Sequence, residues 1–290
     1  MKVAHSPAEL EPAGRAIAIG TFDGVHRGHR AVVDAAVGSG LRTAVVTFHP
    51  HPRSVLGYEV RLLSSLDRRL ELLAEAGADE ALVVVFTLEL SRLEPEEFVR
   101  TVLEPLGARE IYAGEGFRFG SNRRGDLDLL RRMKLDVRPV QPVEGISSSR
   151  IRELLREGDI PAAAELLGRP PEVEGVVVAG DQRGGTLGFP TANLAVDHEL
   201  LVPRYGIYAG AALGVRAAVS IGVNPHYGGQ ERRIEAFLLD YTGDLYGRRV
   251  RLELWKRLRD ERAFESEAEL VAQIARDVEA TRNAAAPVVR

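Results

Sequence analysis

The 290-residue sequence contains no cysteine. Disulfides, thiolate metal centres and cysteine nucleophiles are therefore excluded, and with them a secreted disulfide scaffold. It also lacks any run of eighteen apolar residues, so no membrane span is expected. Positive charge is not in excess: 38 Lys and Arg against 42 Asp and Glu leave a net charge of −4, which gives no general attraction to nucleic acid. Residues 1–14 carry Glu9 and Glu11 and no apolar segment, so they do not read as a signal peptide. Internal repeats and low-complexity stretches are absent apart from an Ala-rich tail after Asn283. What remains is 45% hydrophobic and 28% charged, a globular composition long enough for one large domain or two ordinary ones. A cytoplasmic protein is expected, with anion binding left to local sites and no feature that sets an oligomeric state.

Two halves differ in periodicity. From Arg15 to about Gly168, short apolar runs alternate with amphipathic stretches: Ala16–Ile19, Thr43–Thr47, Ala81–Phe86, Glu110–Tyr112 and Val137–Val140, with helical patterns such as Leu66–Ala76 and Pro95–Leu106 between them. Continuous apolar strands alternating with helices predict a parallel sheet covered on both faces, an α/β Rossmann-like layer structure. Ligands of such sheets sit beyond the carboxyl ends of the strands. After Arg169-Pro-Pro171, strand-like runs follow one another: Val173–Val178, Ile207–Leu213, Ala217–Val223, Arg233–Asp240 and Val250–Trp255. Asn224-Pro225, Gly228-Gly229 and Thr242-Gly-Asp244 supply turns. A last helix is predicted from Ser266 to about Thr281, with Ser266 and Glu269 forming a capping box. Strands followed by one helix predict a small antiparallel β-barrel with a C-terminal helix. The expected domains are 1–168 and 169–290.

The loop after the first apolar run, Gly20-Thr-Phe-Asp-Gly-Val-His-Arg-Gly-His29, precedes a helix predicted over Arg30–Val37. Gly20 and Gly24 let the backbone turn and approach a ligand. His26 and His29, three apart at a helix start, can point toward one small volume. Free N–H groups and the helix dipole favour an anion there, and imidazole donors suit a phosphate that gains charge during transfer. Two surface histidines flanking a cap, or metal ligation that also draws on His49 and His51, are the competing readings. A second fragment, Ile146-Ser-Ser-Ser-Arg-Ile-Arg152, follows the last strand of this half and opens another helix. Three hydroxyls with two arginines exceed what a cap requires and suit phosphate oxygens.

His26-x-Gly28-His29 resembles the His-x-Gly-His signature of the nucleotidyltransferase superfamily, and the second fragment resembles that superfamily's Ile-Ser-Ser-Thr-x-Ile-Arg motif, with Ser149 in place of Thr. The resemblance implies catalysis at the ATP α-phosphate by His26 and His29. It also implies nucleotide binding by Gly20, Phe22, Asp23, Gly24, Ser147, Ser148, Ser149, Arg150 and Arg152. Thr47-Phe-His-Pro-His-Pro52 and Gly114-Glu-Gly-Phe-Arg-Phe-Gly120 resemble segments of bacterial bifunctional riboflavin kinase/FAD synthetases. Physically, Phe117 and Phe119 are candidates to flank a flat ring, with Arg118 stacking or pairing with phosphate. Core aromatics with a solvated arginine are the alternative. Thr21, His49 and Gly116 depart from the family's usual residues.

In the second half, Gly180-Asp-Gln-Arg-Gly-Gly-Thr-Leu-Gly-Phe-Pro-Thr-Ala-Asn193 puts four glycines in nine residues, a loop whose amides can fold around phosphates. Thr191 and Asn193, two apart in an extended segment, place neutral oxygens on one side, which suits Mg²⁺ completed by phosphates and water. The string resembles the glycine-rich loop and Pro-Thr-Ala-Asn motif of riboflavin kinase. That resemblance implies phosphate binding at Gly180, Gly184 and Gly188, and magnesium held by Thr191 and Asn193. It implies Glu235, in Ile234-Glu-Ala-Phe-Leu-Leu-Asp240, as base on the ribityl 5′-hydroxyl. Leu245-Tyr-Gly247 and Leu258-Arg-Asp-Glu-Arg-Ala-Phe264 match as well, with Arg259 and Phe264 candidates for the flavin or else for a salt-bridged, core-packed approach to the last helix. Gly185 stands in place of a common arginine, for which Arg183 is a possible substitute, and Asn224–Tyr227 departs from a common Arg-Pro-Thr-Phe-like segment.

The expected function is therefore phosphorylation of riboflavin to FMN in the second half and adenylylation of FMN to FAD in the first. ATP with Mg²⁺ serves both; riboflavin, FMN and FAD are the other partners, with no nucleic acid and no membrane. A flavin-binding regulator with one catalytic half impaired, and a nucleotidyltransferase for another phosphate ester, are the alternatives.

Overall fold

The computed structural model describes residues 1–180, 187–223 and 232–289, with Arg232 described by its backbone alone. By contacts the chain divides into two compact units, Met1–Ser148 and Ser149–Arg290.

In the first unit six strands, β1 (Lys2–Ala4), β2 (Arg15–Ile19), β3 (Arg42–His49), β4 (Glu80–Val85), β5 (Ala108–Gly114) and β6 (Asp136–Val140), form one sheet in the order β1-β4-β3-β2-β5-β6. Every pairing is parallel. The helices are α1 (Arg27–Val37), α2 (Pro52–Val55), α3 (Leu66–Glu75), α4 (Leu88–Ser91), α5 (Pro95–Phe98) and α6 (Leu127–Arg132). The five apolar runs expected as strands are β2 to β6; the short first strand was not expected. The helix expected over 95–106 instead passes from α5 into a π-helical turn, Val99–Leu103.

All five residues of β2 are buried, and their alternation serves two cores. Ile17 and Ile19 pack with Phe98, Val102, Leu103 and Leu130 on one face. Ala16 and Ala18 face Val32, Val33 and Ala36 of α1 and Leu72 and Leu73 of α3. Burial on both faces is why the run is continuously apolar rather than alternating. Sequential strands lie to one side of β2 as far as β4 and to the other side from β5 onward, so β2 and β5 flank the point where the order reverses. Ligand crevices of open α/β sheets lie there, beyond the carboxyl ends. The loops after β2, β5 and β6 all leave from that edge.

The second unit holds most of α7 (Ser148–Glu157), then α8 (Ile160–Leu167), six further strands and α9 (Glu267–Asn283). The strands are β7 (Glu172–Val178), β8 (Ala192–Ala195), β9 (Gly206–Ala212), β10 (Val215–Val223), β11 (Arg232–Leu238) and β12 (Arg249–Arg259). They close a barrel in the order β10-β11-β8-β7-β12-β9, antiparallel at each pairing. Ser266 caps α9 by accepting the Glu269 N–H at 3.2 Å, while the Glu269 carboxylate accepts the N–H of Glu265, so the return bond falls one residue ahead of the one a capping box makes. In β11, buried Ile234, Ala236 and Leu238 alternate with half-buried Glu235 and Phe237, so Glu235 and Phe237 lie on the barrel's outer face. The expected turns at 224–225 and 228–229 fall outside the described residues.

Candidate functional site

The β2–α1 loop is built on uncommon backbone. Gly24 has φ +80°, as the sequence suggests, but Phe22 (φ 51°) and Val25 (φ 37°) also take positive values. For a β-branched residue this is strained and persists only where surroundings over-determine it. The surroundings do so at four points. The Thr47 hydroxyl donates to the Thr21 carbonyl (3.1 Å), and the Ser148 hydroxyl donates to the Asp23 carbonyl (3.1 Å). The Asp23 carboxylate accepts the Leu63 N–H (2.9 Å), and the Ser64 hydroxyl accepts the Gly24 N–H (3.2 Å).

The loop ends on His26, which is buried and caps α1: its Nδ1 accepts the His29 N–H at 3.3 Å. A ring nitrogen that accepts is unprotonated, so the proton of the neutral imidazole sits on Nε2 as a donor. The His29 ring stacks on it, centroids 3.6 Å apart at 15°. Gly28 makes this possible, since a Cβ there would stand 3.3 Å from the His26 ring. The helix therefore begins at Arg27 rather than at Arg30. Phe22 and Asp23 are almost fully buried. The Phe22 ring lies against Gly20 and edge-on to His29 at 5.4 Å. The expectation of nucleotide contacts by these two residues thus narrows to their backbone.

Ser147 is exposed, Ser148 half-buried at the start of α7, and Ser149 and Arg150 exposed. Arg150 pairs with Glu153 at 3.1 Å, one turn on, while Arg152 is buried. The division between the units falls in this first turn, so Ser147 and Ser148 belong with the loop around Asp23, and Ser149, Arg150 and Arg152 continue along the helix.

Phe117 and Phe119 stack on each other, centroids 5.5 Å apart at 16°, and Phe119 is buried against Phe98. Two rings in mutual contact leave no room for a third between them, which favours the core-aromatic reading over a clamp. Arg118 is exposed and donates to the Phe117 carbonyl at 3.0 Å.

In the barrel, the register sets Asn193 of β8 opposite Glu235 of β11, and Glu235 opposite Ser220 of β10. Residues facing each other across antiparallel strands point to the same side, with Cβ atoms about 4.5–5.5 Å apart. Thr191, two residues before Asn193, shares that side. Glu235 pairs with Arg233 at 3.3 Å. A Cβ on Gly180 would overlap the Asn193 side-chain amide, and Gly188 has φ +84°, so both glycines are required by geometry. Gly184, with Arg183, Gly185 and the Asn224–Tyr227 segment, falls outside the described residues. Arg259 meets Asp277 of α9 through two nitrogens at 2.7–3.1 Å, and Gln273 also donates to Asp277. Phe264 lies under the guanidinium groups of Arg262 and Arg259, at 4.8 and 5.9 Å. The Arg259 guanidinium is thus engaged in fastening α9 to β12, which favours the salt-bridged reading over a flavin contact.

Comparison with known proteins gives each unit a family. A model described as FAD synthetase matches residues 8–152, and one described as riboflavin kinase matches residues 167–285. Curated proteins named bifunctional riboflavin kinase/FMN adenylyltransferase match end to end. That of Listeria monocytogenes is 36% identical over 296 residues, covering 94% of this chain and 93% of its own. That of Escherichia coli K12 is 36% identical over 293 residues, with the same coverage. The chain belongs to the bifunctional riboflavin kinase/FMN adenylyltransferase family. A crystal structure from Streptococcus pneumoniae, titled a macrolide-efflux protein, shares the architecture over 97% of this chain and 98% of its own, with a TM-score of 0.87 and 30% identity. Among the described residues here, no helix is long and apolar enough to cross a membrane. The two family models thus fall on different units, the FAD synthetase match on the α/β unit that carries the histidine loop and the riboflavin kinase match on the unit that carries the barrel.

Proposed function

We propose that this chain works in the cytoplasm as a riboflavin kinase and FMN adenylyltransferase, with FMN made in residues 169–290 and FAD in residues 1–168. The register that sets Glu235 opposite Asn193 carries the kinase assignment, because it puts a carboxylate beside a neutral-oxygen strand face. That face fits a magnesium-bound nucleotide: Thr191 and Asn193 each offer a neutral side-chain oxygen, and Gly180 leaves room at the Asn193 amide that a Cβ would fill. Magnesium, when bound, offsets phosphate charge and fixes the orientation of the nucleotide.

Thr191 and Asn193 hold the nucleotide end of the reaction, and Glu235 accepts the proton of the ribityl 5′-hydroxyl as that oxygen bonds to the γ-phosphorus of ATP. The bond to the β-phosphate bridge oxygen breaks and ADP leaves. In the first half, an FMN phosphate oxygen attacks the α-phosphorus of ATP and pyrophosphate leaves. His26 Nε2–H and the stacked His29 ring are the donors that meet the charge developing there, held in place by Gly28 and the α1 cap. No covalent enzyme intermediate is needed.

The halves are tested apart. His26→Ala with His29→Ala is expected to lower FAD formation by at least about 10²–10³-fold and to leave FMN formation unchanged, measured by chromatographic separation of flavins after incubation with riboflavin, ATP and Mg²⁺. Glu235→Gln is expected to lower FMN formation about 10²–10⁴-fold while FMN supplied directly is still converted to FAD. Loss of both reactions in either folded variant, each assayed with its own flavin substrate, would refute the assignment. Chelation of divalent cations is expected to stop both reactions, with recovery on adding Mg²⁺; activity that survives chelation removes the metal from the scheme.

A further inference from the structure

Arg69, on α3, is a buried charge in the first unit that the chemistry above leaves unused and that, unlike buried Arg15, forms no salt bridge with a carboxylate among the described residues. It has no exposed surface, although it is a guanidinium. Its Nη1 donates to the Phe48 carbonyl at 3.0 Å and lies 3.5 Å from the Thr47 hydroxyl. Its Nε and Nη2 are buried without a hydrogen-bond partner. Burial alone pushes its ionisation down, and the opposing influence is the negative charge of Asp23. A buried cation with two of its three nitrogens unanswered among the described residues is costly, and an apolar residue of similar volume would fill the space more favourably. The charge therefore has a task other than filling space.

Its surroundings indicate the task. Thr47, which Arg69 touches, donates to the Thr21 carbonyl. Asp23, the carboxylate that sustains it, is drawn inward, where it accepts the Leu63 N–H just ahead of α3. Ser64, from the same segment, holds the Gly24 N–H. Arg69 thus reaches the strained stretch through Thr47, whose hydroxyl holds the Thr21 carbonyl, while its charge attracts the Asp23 carboxylate that the Leu63 N–H anchors three residues before His26. We propose that Arg69 is a positioning residue for adenylyl transfer, acting through Asp23 to hold the β2–α1 loop in the geometry that presents His26 and His29. This rests on the reading of that loop as the adenylyl-transfer site.

The test uses the full chain and follows both reactions. Arg69→Met keeps the volume and removes the charge. It is expected to lower kcat for FAD formation at least tenfold with KM for FMN unchanged, while FMN formation and the thermal unfolding of both units stay as in the wild type. Arg69→Lys is expected to restore kcat to within threefold. Adding Asp23→Asn to Arg69→Met is expected to cost little more, because the two residues act as one unit. Wild-type kcat in folded Arg69→Met overturns the proposal, as does full additivity with Asp23→Asn. If both Met variants lose the unfolding transition of the first unit, Arg69 serves stability alone and the proposal is again overturned. Failure of the loop reading is separate: FAD formation would then survive His26→Ala with His29→Ala.

Discussion

Tyr112, on β5, shows how a single buried group ties stability to pH. Its hydroxyl donates to the Glu110 carboxylate at 2.6 Å. Burial first, and then that acidic neighbour, push its ionisation from the ordinary 10 up to about 12. Between those values the folded chain keeps a proton that the unfolded chain has lost. The stability this contributes is therefore complete below about pH 10 and disappears as pH rises toward about 12. Tyr112→Phe is expected to flatten the alkaline decline of the thermal midpoint relative to wild type across that window; an unchanged slope contradicts the account. At the same scale, Gly24→Ala combines φ +80° with a Cβ 2.8 Å from the Leu63 side chain. It is expected to destabilise the first unit by on the order of 1–3 kcal/mol, read by thermal unfolding.

Among the elements, α9 depends on one ion pair more than on its own apolar stripe: the buried residues on it are Asp277 and Thr281. Asp277→Ala leaves the Arg259 guanidinium without its bidentate partner and is expected to cost on the order of 3 kcal/mol, with α9 amides exchanging early in hydrogen exchange. Much of this architecture is legible in the sequence. Strands β2 and β3 are apolar runs because both sheet faces are covered there, and α9 carries its own cap. The parts that were not legible have physical causes. Strand β1 has three residues, too few for a period. Strand β8 is four residues long and includes Asn193, a type that signals turns, and is a strand because β7 and β11 pair with it. Helix α1 starts early because a histidine caps it, and histidine is not among the residues that announce a helix start. The histidine pair and Gly24 were readable from type and spacing. The room Gly28 leaves for the His26 ring, and the brace formed by Thr47, Ser64 and Arg69, come from segments far apart in sequence and appear only once the sheet is assembled. Phe117 and Phe119 left two readings open for the converse reason: two aromatics two apart look like a clamp, but Phe119 belongs to the core.

For the whole molecule, the sequence's Pro-Pro pair and the contact-based division are about twenty residues apart, at 170–171 and at Ser148/Ser149. Helices account for the interval. Helix α8 buries Ile160, Ala163, Ala164 and Leu167 and packs on β12. A fragment beginning at Ser149 is therefore expected to unfold more than about 5 °C above one beginning at Arg169, measured by circular dichroism; equal midpoints would make α7 and α8 mere connectors. The register of the barrel carries one more consequence. Among the described residues β8 faces β11 only at Asn193–Glu235 and Ala192–Ala236, whereas the β10–β11 ladder extends from Ala217–Leu238 to Val223–Arg232. The barrel is thus zipped most shallowly along the line to which the proposed kinase chemistry is assigned. A nucleotide gripped from the β8 side while its acceptor is gripped from the β11 side acts as a rivet across that line, so turnover and opening of the wall share one seam. Ligand-free protein is expected to exchange the amides of Asn193 and Ala236 faster than those of β10, with riboflavin and ATP-Mg²⁺ narrowing the gap, as read by hydrogen exchange.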